Sequence, residues 1–315
     1  MNISQVALWL FGLLSVGVLA VLVLNHLIRT SLTAPRVRES GVPADVPWRE
    51  VRIHAARGKT LFGWFIPAGE RAPALAILHG WGGNAEMMLP LAKPLHEAGY
   101  ALLFFDARCH GRSDEDSFAS LPRFAADLES ALEWLQVQRD VDETRIGVIG
   151  HSVGAGAALL LAAQRHDLAA VVSLSAFAHP ADMMRRWLKS RRIPSWPLAA
   201  YILFYVQRVI GYHFDDIAPA RTIRAVNCPV LLVHCIGDET MPMNDAQKIY
   251  ANREDRQVQL LLMPGSHDKY GDMEHHIGTV IGFLDGAMRM ERVKGIEPSY
   301  AAWEAAVLPL NYTRL

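Results

Sequence analysis

Residues 145–166 read RIGVIGHSVGAGAALLLAAQRH. A short apolar run, of the kind that forms a buried strand, leads into Gly150-His151-Ser152-Val153-Gly154, and a strong helix former follows. Strand, then GxSxG, then helix is the context in which a serine is lifted out of a tight turn at the top of a sheet, with glycines making the turn possible. The N–H groups and dipole of the following helix favour negative charge at that point. The same five residues would also serve a glycine-rich helix start capped by Ser152, so the surroundings must decide.

Outward from this stretch the chain alternates. WREVRIHA and TLFGWFIPA, separated by ARGK, read as a hairpin beginning at Trp48. ALAILHG, ALLFFDA, RIGVIG, AAVVSLSA, PVLLVHCIG and VQLLLMPG read as continuous apolar strands with helical stretches between them. The clearest helix is 122–139, where Phe124, Leu128, Leu132 and Leu135 recur at helical spacing. This pattern predicts an α/β fold with a mostly parallel sheet covered by helices on both faces. Residues 177–222 interrupt it with a long, mainly helical insertion. It has a basic part (Arg185, Arg186, Lys189, Arg191, Arg192) and an apolar part (198–210). Two readings stay open: a lid that also touches a membrane surface, or a solvated helix followed by one packed on the sheet.

A serine hydroxyl needs a base, and the base needs an orienting group. Asp238 follows the strand PVLLVHCIG and His267 follows VQLLLMPGS, each just beyond a strand end where loops converge. Glu239, Asp215 and Asp216 compete with the first, and His275 and His276 with the second. Two backbone donors should face a developing oxyanion. The N–H of Val153 is one. The other is expected from the loop His79-Gly80-Trp81-Gly82-Gly83-Asn84, with Trp81 as donor and its ring as a wall or a packing group. No metal or organic cofactor is called for.

The chain has 315 residues, half of them apolar, with a formal net charge of −1, which gives no pull towards nucleic acid. Cys109, Cys228 and Cys235 match neither a zinc site nor a CxxC pair and are read as thiols. From Val6 to Leu24 there is no charge; at ~1.5 Å per residue that run spans about 28 Å of helix, close to a bilayer's hydrocarbon core. A signal peptide would need a basic start and a shorter apolar run. The expected organisation is a single-pass membrane anchor over 1–30, a linker over 31–47 rich in proline, a catalytic domain over 48–289 with its cap at 177–222, and a disordered tail over 290–315. Arg29, Arg36 and Arg38 follow the apolar run and nothing basic precedes it, which leans towards a cytoplasmic domain.

With HGWGGN at 79–84, FDARCHGRSD at 105–114, GHSVGAG at 150–156, GDETMP at 237–242 and PGSHD at 264–268, the chain resembles the α/β-hydrolase superfamily, in the branch of membrane-anchored Bem46-like and prolyl-oligopeptidase-like hydrolases. The resemblance covers roughly 48–288. It implies a Ser152, Asp238, His267 triad with Trp81 and Val153 at the oxyanion positions, and an acyl-enzyme route acting on an ester, thioester or amide. A small-molecule or lipid-like acyl substrate is expected, with an esterase or lipase favoured. A peptidase-like hydrolase and a non-catalytic membrane-tethered scaffold are the alternatives. Oligomeric state is not indicated. Cys109 stands where the family usually has glycine, so the turn at that point is an open question.

Overall fold

The computed structural model of the chain describes residues 3–254, 257–267 and 273–290. Helix α1 (Ile3–Ser31) precedes the hairpin β1 (Arg49–Ala55) and β2 (Lys59–Ile66). Then follow β3 (Ala72–Leu78), α2 (Ala92–Glu97), β4 (Ala101–Phe105), α3 (Leu121–Gln136), β5 (Val141–His151), α4 (Val153–Ala162) and β6 (Ala170–Leu174). The cap contributes α5 (Pro180–Ser190), α6 (Ala200–Ile210) and α7 (Pro219–Thr222). Strand β7 (Val230–Cys235), α8 (Met243–Ala251), β8 (Val258–Met263) and α9 (Met273–Met290) complete the domain. The tail expected past Met290 lies outside the described residues.

The eight strands form one sheet in the order β1-β2-β4-β3-β5-β6-β7-β8. The β1/β2 and β2/β4 pairs are antiparallel, and every pair from β4 to β8 is parallel. The apolar runs are uninterrupted because both faces are covered: β3 and β4 bury Leu75, Ile77, Leu102 and Phe104 on one side and Leu78, Leu103 and Phe105 on the other. Helix α3 buries Phe124, Leu128, Leu132 and Leu135 as their spacing requires. It stops short of the expected Arg139, at the point where Gln138 Nε2 donates to the Trp134 carbonyl (2.8 Å) and occupies a helix-end acceptor.

Helix α1 is the one described helix long and apolar enough to cross a membrane. Its upper part is exposed, but its last turns join the domain. Ile28 is buried in the core, with Leu24 and Leu32 packed against the same cluster. Tyr201 Oη donates to Asn25 Oδ1 (2.8 Å) and Arg29 Nε donates to Tyr205 Oη (2.9 Å), so α1 is bolted to α6.

The proline-rich stretch after α1 has no regular element up to β1, yet it is anchored. Arg36 Nη2 donates to the Ser113 carbonyl (3.0 Å), Asn84 Nδ2 donates to the Val37 carbonyl (3.1 Å), and the Ser40 N–H and hydroxyl donate to Glu86. The Glu39 carboxyl meets the buried carboxyl of Asp106, just past β4. Burial, and then the contact with Glu39, push Asp106 up to about 8, against the N–H groups of Arg112 and Ala85 that donate to it.

A carboxyl whose folded pKa is raised binds protons more tightly when folded. Its contribution to stability is complete below the unfolded value near 4 and is lost as pH rises towards 8. Glu39→Gln replaces the second acid with a neutral amide that can donate to Asp106. The variant is expected to flatten the fall in Tm between pH 5 and 8. It should also raise Tm at pH 8 by a few degrees, since ~1 kcal/mol corresponds to roughly 2–4 °C in a domain of this size. Thermal melts across that pH range check this, and parallel Tm curves for variant and wild type would contradict it.

Candidate active site

The strand–turn–helix reading of 145–166 holds in detail. Ser152 sits between β5 and α4 at φ 53° and ψ −113°, a strained backbone for a residue with a side chain. Its N–H donates to the Leu174 carbonyl (2.8 Å), and its carbonyl accepts from the Gly156 N–H (3.0 Å). The turn closes because two positions carry no side chain. A Cβ at Gly150 would run into the Gly154 carbonyl, and one at Gly154 would lie 2.5 Å from the His79 carbonyl and 2.7 Å from that of Leu78. The start of α4 is thus pressed directly on the end of β3.

Three of the predicted residues come together. Ser152 Oγ–H donates to His267 Nε2 (3.0 Å), and His267 Nδ1–H donates to Asp238 Oδ2 (2.7 Å). A carboxylate can only accept, so Asp238 fixes the proton on Nδ1 and leaves Nε2 as a base facing Ser152. Ser152 and Asp238 are 5% and 4% exposed. Burial alone would raise the Asp238 pKa. The bond from His267, the N–H of Met241 and the nearby His234 outweigh it and hold the carboxyl below its ordinary range. The loop carrying Asp238 is itself tied down: Thr240 N–H also donates to Asp238 Oδ1 (2.9 Å), and His234 Nε2–H donates to the Met241 carbonyl (2.7 Å).

Of the competing residues, Glu239 is exposed beside the buried Asp238, Asp215 accepts from His179 Nε2 (2.8 Å) within the cap, Asp216 pairs with Arg221, and His276 lies on α9; the side chain of His275 is outside the described residues.

Trp81 and Val153 line the same cavity as Ser152. Val153 opens α4, where an N–H has no partner in its own helix. In the loop after β3, the Gly83 N–H donates to the Gly80 carbonyl (3.1 Å) and the Gly82 N–H donates to His110 Nε2 (3.1 Å). A Cβ at Gly80 would stand 3.0 Å from that of Ser152, so only glycine allows this loop so close to the serine. The Trp81 ring lies edge-on to His110, with centroids 5.8 Å apart, and lines the cavity beside Ser152.

Three histidines hold this arrangement, and sequence reasoning did not single out His79 or His151 for it. His79 Nδ1–H donates to the Gly80 carbonyl (2.7 Å) while its Nε2 accepts from the Ala107 N–H (3.1 Å). His110 repeats the pattern, with Nδ1–H donating to the Arg108 carbonyl (2.9 Å) and Nε2 accepting from Gly82. Burial first, and then the neighbouring His110, bring His79 down to about 3; burial also lowers His110. Both rings are neutral struts that join the loop after β3 to the loop after β4. The third residue, His151, donates from Nε2 to the His267 carbonyl (3.1 Å) and so braces the base from beneath.

Cys109 adopts φ 66°, so the left-handed turn suited to glycine is kept at a cost in strain. The Asp116 N–H donates to Cys109 Sγ (3.2 Å), which in turn donates to the Asp116 carbonyl (3.4 Å). Cys109 is buried, and burial raises the thiol's pKa, which disfavours the thiolate. Beside it, Arg108 Nη2 pairs with Asp127 Oδ1 (2.6 Å), both buried; losing one partner of such a pair costs about 3–5 kcal/mol.

Above Ser152 opens a cavity of about 520 Å³. The cap roofs it with Phe177, Met183, Met184, Trp187, Val206 and Phe214, which favours the lid reading of 177–222. Ser31 and Leu32, at the end of α1, line it too. Among the described lining residues none is Asp, Glu, Lys or Arg.

Known proteins agree with this architecture. The family described as serine aminopeptidase, S33, matches residues 69–208. An uncharacterized protein of Mycobacterium tuberculosis is 32% identical over 205 residues, which are 64% of this chain and 66% of that one. The uncharacterized protein YfhR of Escherichia coli is 28% identical over 242 residues, covering 72% and 78% of the two chains. Among solved structures, the Pyrococcus furiosus esterase Pf2001 aligns with a TM-score of 0.67 at 24% identity over 81% of this chain and 98% of its own. Est1E from Butyrivibrio proteoclasticus aligns at 0.55 and 21% identity over 78% and 99%. With the sheet order, the GxSxG turn and the family match in agreement, the chain has the α/β-hydrolase fold and is similar to hydrolases of that superfamily.

Proposed function

We propose that the chain is a membrane-anchored serine hydrolase that cleaves an apolar acyl ester through an acyl-enzyme. The observation that carries this reading is the relay from Ser152 through His267 to Asp238, set beneath an uncharged cavity. His267 takes the Ser152 proton as Oγ attacks the acyl carbon, and Asp238 stabilises the imidazolium that forms. The N–H groups of Val153 and Trp81 receive the oxyanion. His267 then gives its proton to the departing alcohol oxygen. Water, deprotonated by His267, attacks the acyl-Ser152 carbon, and His267 returns that proton to Ser152 Oγ as the acyl–Oγ bond breaks and the acid leaves. Thioesters and amides are open to the same steps.

The name of the matching family points to peptides with a free amino terminus. Such a substrate carries an ammonium group that wants a carboxylate, and the described cavity lining offers none. The apolar lining favours an acyl chain instead. Helix α1 supplies the anchor in this reading, with the domain on the side that carries Arg29, Arg36 and Arg38, the cytoplasmic one.

A fluorophosphonate probe is expected to label wild type and not Ser152→Ala; an unlabelled but folded wild type would sink the proposal. Asp238→Asn should keep the fold and lower p-nitrophenyl ester kcat/KM by about 10⁴-fold, because the His267 tautomer is no longer held. A loss below about tenfold would remove Asp238 from the relay. Across p-nitrophenyl esters, kcat/KM should rise from acetyl to octanoyl as methylenes enter the cavity, each worth up to ~0.8 kcal/mol. Aminoacyl p-nitroanilides with a free amine should be poor substrates, and a preference for them would reverse the choice of substrate class.

A further inference from the structure

The cavity is walled by the end of the same helix whose beginning is apolar enough to span a bilayer. The uncharged run ends at Leu24, and Ser31 and Leu32 line the cavity with Ser152 and His267. The helix between them is unbroken to Ser31, so at ~1.5 Å per residue this wall stands about 10 Å beyond the apolar run. That distance is comparable with the headgroup layer, roughly 5–8 Å on each side of the hydrocarbon core. The cap cannot sit far from this level, because Tyr201 and Tyr205 of α6 are bonded to Asn25 and Arg29.

The cap, whose helix α6 contacts α1, carries exposed aromatic rings and cations. Trp196 is 80% exposed and Phe204 is 55% exposed, apolar area that a lipid surface would cover. On α6, Phe204 and Arg208 are one turn apart, next to the stripe of Tyr201 and Tyr205 that faces α1, and the Arg208 guanidinium lies 5.6 Å from the Phe204 ring. Exposed Lys189 and Arg192 follow on the turn that leads from α5 towards Trp196. Aromatic rings with interspersed cations suit the boundary between acyl chains and anionic headgroups.

We propose that the cap and the lower end of α1 form an interfacial mouth seated on an anionic lipid leaflet, through which the apolar chain of a bilayer-resident ester reaches Ser152. The inference rests on the acyl-transfer reading and names its substrate class. A chain that passes from leaflet to cavity never enters water, so its methylenes are not hydrated on the way. At Ser152 the acyl–oxygen bond of the ester breaks and the alcohol leaves with the proton from His267. Water supplies the oxygen that converts the acyl-enzyme to the free acid, and the acid returns to the leaflet.

The test uses the full chain in phosphatidylcholine vesicles, with and without phosphatidylglycerol. Turnover of a water-soluble short-chain p-nitrophenyl ester is compared with that of a long-chain fluorogenic ester dissolved in the vesicles. Wild type should cleave both, and the vesicle ester faster when phosphatidylglycerol is present. Trp196→Ser with Phe204→Ser, neither of which lines the cavity, should lower vesicle-ester kcat/KM by about tenfold and leave the soluble ester within about twofold. Lys189→Glu with Arg192→Glu, which keeps the apolar surface, should abolish the phosphatidylglycerol advantage, each charge being worth about fivefold. Unchanged vesicle turnover in both variants, or equal losses on both esters, would overturn the proposal. Wild type that cleaves the soluble ester but not the vesicle ester would overturn it alone; wild type that cleaves neither would overturn the acyl-transfer reading with it.

Discussion

The site depends on one close approach of backbone to backbone. The first turn of α4 lies against the end of β3 with no room for a side chain at Gly154, and the loop after β3 turns back at Gly80 within reach of Ser152. This contact sets the distance between the serine and the loop that carries Trp81. The strained dihedrals of Ser152 persist because the Leu174 carbonyl holds its N–H on one side and this contact confines it on the other. The remaining features, from the buried Arg108–Asp127 pair to the two neutral histidines, keep the loops on either side of the contact from relaxing.

The electrostatic plan follows from that geometry. His79 and His110 are wired through Nδ1 to carbonyls and through Nε2 to amides, so a proton on either ring would break a bond to the backbone as well as charge a buried site. They bring structure without charge. Asp238 is kept ionised by donors on its own loop and by His267. Negative charge is therefore placed behind the base and kept away from the face where an oxyanion would form.

Much of this was legible in the sequence because it is local. Each strand-like run became a strand, and Ser152, Asp238 and His267 each follow a strand end, so pattern and chain order made them candidates and the family resemblance chose among them. What escaped was tertiary. His151 braces the carbonyl of His267 from far along the chain, and nothing in the five residues around it encodes that bond. Residues 31–47 read as a linker by composition, yet Arg36, Glu39 and Ser40 fasten the stretch to the domain through single polar contacts that leave no periodic trace. The cap stayed ambiguous because an apolar helix face does not declare what it covers; only its position over Ser152 does. Cys109 shows the opposite case, where the sequence flags a departure and the backbone absorbs it with φ unchanged in sign from what glycine would adopt.

The cap enters the chain between β6 and β7, which are neighbours in the sheet. Its two ends leave and rejoin the scaffold side by side, and no strand pairing passes through it. The residues that make and break bonds and those that shape the cavity roof are therefore written in separate tracts of the gene. Insertions and substitutions between 177 and 222 can redraw the roof while the register of the sheet, and with it the spacing of Ser152, Asp238 and His267, stays the same. One scaffold can in this way acquire new clients by drift in a single segment.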